Sequence, residues 1–169
     1  MEEIWDIVNE KGEDLGIKWE RKNHDKIPGG MYHPCVEVWV KVGDRLLITR
    51  RHPEKSEPLL YDVPGGAVIA GEDMLTGAIR ELAEETGISV CLSDFKELGR
   101  LNNGNVYAAS YIVELDYIPE IKLQASEVVG YKLVTQEELE KMVDELTRGT
   151  RRRYYIYKEA IFSIEKQPS

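Results

Sequence analysis

Residues 65–88, GGAVIAGEDMLTGAIRELAEETGI, constrain this chain more than any other segment. Their clearest feature is a helix predicted over Glu72–Thr86. Leu75, Ala78, Ile79 and Leu82 share one face at helical spacing, and Gly87 stands where a glycine ends a helix. Glu81, Glu84 and Glu85 recur at i, i+3 and i+4, within an arc of about 100° on the opposing face. Arg80, four residues before Glu84, flanks that stripe. One face therefore packs into a core, and the other presents three carboxylates and an arginine.

The plainest account of such a stripe is a solvated acidic face. Two features count against it. Glu81 and Glu85 are like charges at i, i+4, which costs an isolated helix a few tenths of a kcal/mol. The acids also crowd the C-terminal half of the helix, where its dipole disfavours them. A hard divalent cation removes that penalty, because Mg²⁺ or Mn²⁺ takes several oxygen ligands from carboxylates, waters and substrate phosphates.

The wider spacing is more specific. Gly66, five residues, Glu72, seven residues, Arg80-Glu81-Leu82, one residue, Glu84-Glu85, one residue, Gly87-Ile88 resembles the Nudix box at every specified position. A looser resemblance runs from about residue 34 to residue 147. It implies an α/β chain with the Nudix fold, an α/β/α sandwich with a mixed β-sheet. It also implies attack of water on a diphosphate, with Mg²⁺ or Mn²⁺ as cofactor. By resemblance, Glu81, Glu84 and Glu85 are metal ligands, and one of them doubles as base. The backbone carbonyl of Gly65 is a further ligand, where the lack of a Cβ allows close approach. Arg80 holds the carboxylates in place and Glu72 ties the loop to the helix. Gly66 and Gly87 frame the box, with Gly66 also beside substrate. Glu127, in SEVVGYKLV ahead of a strand, resembles an acidic position that supplies the base in some family members.

The rest of the chain reads as one domain with an extension. Residues 1–30 are predicted to form a hairpin, Glu3–Val8 and Leu15–Trp19, and a short polar helix before Pro28-Gly29-Gly30. Residues 31–169 form the main domain. Val36–Val42 alternates with period two, Gly43-Asp44 turns the chain, and Arg45–Arg51 returns. Further strands are predicted over Leu59–Val63, Ile88–Cys91, Phe95–Leu101, Asn105–Asp116 and Glu127–Leu133. Thr135 and Glu138 form a capping box for a helix over Glu137–Leu146, and a last helix covers Arg152–Lys166.

Charge and thiols narrow the function classes. Lys and Arg number 22 against 31 Asp and Glu, a net −9, which argues against a nucleic-acid polymer as partner. A small-molecule diphosphate remains compatible, because a bound cation reverses the local sign of an acidic pocket. Cys35 and Cys91 make no disulfide framework. The N-terminal residues lack signal-peptide character and no apolar run spans a bilayer, so a cytoplasmic protein without membrane contact is expected. A homodimer is one possible assembly.

For substrate contacts, alternation sends Arg50 and Arg51 to opposite faces, so that one reaches phosphate; two surface arginines are the alternative. Tyr61 is a candidate for stacking on substrate, as is Trp39, with core packing the alternative for each. The front end, WDIVNEKGEDLG and ERKNHDK, resembles the superfamily branch that includes isopentenyl diphosphate isomerase, whose upstream histidines help bind metal. His24 and His33 stand at comparable positions, and ordinary polar roles are the alternative for both. The isomerase's catalytic cysteine, however, has no counterpart in Tyr61–Gly66, and the box is intact as in hydrolases. A hydrolase of a nucleoside diphosphate derivative or other organic diphosphate is therefore expected. An isomerase-like enzyme and a non-catalytic nucleotide-binding module are the alternatives.

Overall fold

Strand β3 (His33–Val42) is the axis of the sheet. In the computed structural model, which describes residues 2–163, Val38, Trp39 and Val40 are fully buried, so both faces of this strand are covered. It pairs in parallel with β8 (Val106–Leu115) along its length. On its other side it meets β4 (Arg45–Arg51) only at Lys41–Leu46 and Val42–Arg45, beside the Gly43-Asp44 turn. The two strands then diverge. β6 (Gly65–Ala67) fills one side of the gap against Cys35–Glu37, and β5 (Tyr61–Asp62) fills the other against β4. β7 (Phe95–Asn103) lies outside β8, and β9 (Val128–Thr135) lies against β4. With β3–β8 parallel and the other ladders antiparallel, the sheet is mixed, as predicted.

Strand alternation feeds two apolar layers. Val38, Val40 and Leu47 pack on Ala78 and Leu82 of α1 (Met74–Thr86). Trp39, Leu46 and Ile48 pack on Leu139 of α2 (Gln136–Lys141) and on Tyr154 and Ile161 of α3 (Arg148–Phe162). Each buried Val, Leu or Ile among them contributes about 1.5–3 kcal/mol by leaving water. The result is the expected α/β/α sandwich.

The N-terminal hairpin, β1 (Ile4–Val8) and β2 (Asp14–Glu20), is followed by a 3-10 turn over Arg21–Lys26. Its Trp5 and Ile7 are buried. Val8 and Tyr32 exchange backbone hydrogen bonds of 2.9 Å, and Ala70 N–H donates to the Ile4 carbonyl at 2.8 Å. The hairpin is thereby fixed beside the loop that leads into α1.

Several predicted boundaries move, each for a local reason. Helix α1 starts at Met74, because Asp73 caps it by accepting from Thr76 N–H at 2.8 Å; Glu72 stays in the loop. Leu59 has φ +62, which no strand residue adopts, so β5 is confined to Tyr61–Asp62. Residues 88–91 form no strand. They have no ladder partner, and Cys91 N–H is taken by the Asp94 carboxylate at 2.9 Å as the chain turns. The Thr135–Glu138 capping box forms, but α2 ends at Lys141 and a 3-10 turn covers Val143–Glu145. Thr147 caps α3, which begins at Arg148 rather than Arg152; the predicted end at Lys166 lies outside the described residues. Among the described residues, no helix is long and apolar enough to cross a membrane.

Candidate active site

The gap between β3 and β4 opens into a cleft of about 870 Å³. Helix α1 forms one wall. Glu81, Glu84 and Glu85 all line the cleft, so the stripe faces a concavity and not open solvent. Arg80 organises it. Its guanidinium donates to Glu72 at 2.6 and 3.1 Å, to Glu81 at 2.9 Å, to Glu84 at 3.2 Å and to the Ala67 carbonyl at 3.0 Å. Against the opposing effect of burial, Arg80 and the Ile69 N–H hold Glu72 below the usual carboxylate range. Glu72 thereby joins the loop, through Ile69 N–H, to Arg80 of the helix.

Glu85 is different. It is buried, and its hydrogen bond in the protein is a weak one from Gly65 N–H at 3.4 Å. Burial, then the charges of Glu81 and Asp62, push it up to about 8. Burial raises Glu81 as well. The glycines of the facing loop make this crowding possible. A Cβ on Gly66 would sit 2.5 Å from a Glu81 carboxylate oxygen, and one on Gly65 would sit 2.3 Å from the Val36 carbonyl. Gly87 ends α1 at φ +75, donating to the Ala83 carbonyl.

The opposite wall carries cations. Arg51 lines the cleft, held at 3.1 Å by Asp62, whose other oxygen accepts from the Thr150 hydroxyl of α3. Lys55 reaches in from the loop after β4 and pairs with Glu127. Burial lowers the Lys55 ammonium's pKa. Glu127 thus joins the cleft at the start of β9.

Two predicted substrate contacts are corrected. Arg50 points away: its Nε donates to the Leu59 carbonyl at 3.1 Å, and it stands 5.9 Å from the Tyr61 ring. Tyr61, on β5 against β4, is buried in the apolar layer beneath α2 and α3, as Trp39 of β3 is. Of the predicted pair, Arg51 alone enters the cleft. His24 lies at the cleft rim. His33 is buried, stacked on Trp5 with ring centroids 4.0 Å apart, and 3.4 Å from the Cys35 sulfur. Cys35, set aside in the sequence, lines the cleft beside Gly65 and Gly66. Burial pushes its thiol up to about 12. Lys55, Asp62 and Trp5 were missed. Lys55 left one trace, a lysine four residues beyond Arg51 in a polar loop.

The sequence profile of the NUDIX domain matches residues 31–159. The chain belongs to the NUDIX domain family. An uncharacterized Nudix hydrolase of Clostridium acetobutylicum is 27% identical over 165 residues, spanning 88% of this chain and 77% of the relative. An RNA pyrophosphohydrolase of Sphingopyxis alaskensis is 41% identical over 73 residues, 43% of either chain. A bifunctional NMN adenylyltransferase/ADP ribose pyrophosphatase of Francisella tularensis, solved with AMP and a Mn ion, superposes with a TM-score of 0.68 at 20% identity. That match covers 83% of this chain and 45% of the other, and supports the fold alone. As a Nudix hydrolase, the protein acts on diphosphate anhydride bonds.

The residues also suit a divalent cation. Their donors are hard carboxylate oxygens, and Glu85 is a buried carboxylate with little compensation from the protein. Among the described residues, no three acidic, histidine or cysteine side chains converge on one point: Glu81 and Glu84 lean toward Arg80, and Glu85 toward Gly65. All three ride neighbouring turns of one helix, close enough for rotamer changes to gather them.

Proposed function

We propose that this Nudix hydrolase is a Mg²⁺- or Mn²⁺-dependent diphosphatase of a small organic diphosphate, with a nucleoside diphosphate derivative as the leading class. The observation that carries this reading is the polarity of the cleft. Glu81, Glu84 and Glu85 occupy one wall, and Arg51 and Lys55 stand across from them. Such a cleft suits a polyanion only when a cation bridges it to the acidic wall.

Glu81, Glu84, Glu85 and the Gly65 carbonyl would hold the ion. When bound, it lowers the pKa of a coordinated water and neutralises charge on the leaving phosphate. Arg51 and Lys55 bind the phosphate oxygens, and Asp62 keeps the Arg51 fork aimed at them. Arg80 prevents the carboxylates from dispersing. Glu127, outside the helical stripe and held by Lys55, is the carboxylate available to take the proton of the attacking water.

The test is hydrolysis of nucleotide sugars, dinucleoside polyphosphates, nucleoside triphosphates and isopentenyl diphosphate, with Mg²⁺ or with EDTA. Phosphate, diphosphate and isomer are each measured. Metal-dependent hydrolysis largely lost in Glu85→Gln is expected. Turnover without metal, or surviving Glu85→Gln, would overturn the mechanism. Isomer formation would favour an isomerase, for which the Cys35 thiol in the cleft wall is the specific pointer.

A further inference from the structure

Behind the cleft lies a second cavity of about 280 Å³. Cys35, Arg51, Lys55, Gly65, Gly66 and Val106 line both spaces, so the chamber opens from the cleft rather than standing apart. Its far side carries Glu37 of β3 and Arg153 of α3. The two are paired, with Arg153 Nε donating to Glu37 at 2.6 Å. Glu37 is further held by Ser110 at 2.6 Å and by the Trp39 indole N–H at 3.0 Å.

This pair is not explained by stability. An apolar pair of similar volume would serve the core as well or better, because removing two charges from water costs more than their attraction commonly returns. Nor is the pair closed on itself. Arg153 uses Nε for Glu37, while Nη1 and Nη2 have no hydrogen-bond partner among the described residues. Those nitrogens lie over Gly149, where a Cβ would approach them to 3.2 Å. The guanidinium is therefore held at one edge and free at the other. Its charge is balanced by Glu37, so the pair itself offers hydrogen-bond donors and an acceptor without a net charge, beside Arg51, Lys55 and Asp62 of the same lining.

We infer that Arg153 and Glu37 are specificity residues, and that the chamber takes the hydroxylated organic end of the diphosphate, a sugar ring, rather than a hydrocarbon. A sugar presents acceptors to the free guanidinium edge and hydroxyl donors to the carboxylate. A prenyl chain offers the free guanidinium edge no acceptor, and sites built to bond a hydroxyl reject analogues that lack one. This inference rests on the diphosphatase reading of the adjoining cleft and names its substrate class.

The test compares kcat/KM for ADP-ribose and isopentenyl diphosphate, both with Mg²⁺, in three proteins. The wild type is expected to favour ADP-ribose by about tenfold or more. Arg153→Lys keeps the charge beside Glu37 but loses the planar fork. It should raise KM for ADP-ribose about tenfold, with kcat nearly unchanged and isopentenyl diphosphate unaffected. The double variant Glu37→Leu/Arg153→Met removes the pair without leaving a lone buried charge, and should reverse the preference. Circular dichroism checks that it folds. Equal losses on both substrates, a loss in kcat alone, or a sugar preference that survives the double variant would overturn the inference. If the wild type hydrolyses neither substrate nor any other diphosphate of the panel above, the diphosphatase reading fails separately. Calorimetric binding of ADP-ribose then decides: affinity weakened in Arg153→Lys supports the chamber, and unchanged affinity or no binding overturns it.

Discussion

Glu37 and Glu85 are both buried carboxylates, 4% and 7% exposed, on opposite sides of the same loop. Glu37 accepts strong hydrogen bonds from Arg153, Ser110 and Trp39. Among the described residues, Glu85 accepts one long bond from Gly65 N–H; it faces Glu81 and Asp62, with Lys55 only partly offsetting them. The difference separates two uses of buried charge. A carboxylate whose partner comes from the chain belongs to the architecture and shapes a binding wall. One that the chain leaves uncompensated fits a cation from solution.

The largest expected effect tests the compensated side. Arg153→Met leaves Glu37 buried without its cationic partner, which should cost about 3–5 kcal/mol, read as a lower urea midpoint. The Glu37→Leu/Arg153→Met protein should recover most of it. If the single and double variants unfold alike, Glu37 does not depend on Arg153.

Glu85→Gln probes the other side and should have the opposite character. Activity should fall at least about a hundredfold, since even the outer partners of metal ligands are worth 10- to 100-fold. The metal-free protein should become no less stable, because no partner is lost. A marked fall in its thermal midpoint would show that Glu85 is compensated within the fold.

A smaller effect lies in pH. Glu85 is raised from the ordinary 4.5 to about 8, chiefly by burial. The folded state therefore holds a proton that the unfolded chain releases. Its stabilising contribution is whole below about pH 4.5 and is lost as pH rises to about 8. In EDTA the thermal midpoint should decline across that window. Saturating Mg²⁺ should raise and flatten the curve, by about 2.7 kcal/mol at a hundred times Kd. A pH profile that Glu85→Gln does not change would break the assignment.

The smallest effect has the reverse sign. Burial lowers His33 from 6.5 to about 4. Its contribution is present above about pH 6.5 and is lost as pH falls toward 4. His33→Phe, which keeps a ring against Trp5, should reduce acid sensitivity and leave the alkaline limb alone.

Much of the helical wall was legible in the sequence, because its signals are local. The apolar stripe, the three carboxylates and Gly87 lie within one helix and its end. Arg80 and Glu72 belong to the same spacing, and the structure joins them. The capping box at Thr135 was equally readable. The cationic wall was half legible. Alternation separated Arg50 from Arg51 but did not say which one enters the cleft. That followed only when β5 and β9 bracketed β4 and placed Asp62 beside Arg51. The predicted strand over 88–91 failed for the same kind of reason: its composition suits a strand, and no partner strand lies alongside.

By itself, the sequence determined the box helix, its faces, its termination and the chemistry of its acidic stripe, since side-chain periodicity and backbone preference act over a few residues. Only the tertiary structure decided which carboxylate is compensated. Arg153 and Glu37 stand 116 residues apart, and nothing in the local chain marks them as partners. Burial and pairing arise when β3 and β4 part, the glycine loop fills the gap, and α3 closes over it. Charge compensation depends on distance in space, which the spacing of residues along the chain does not encode.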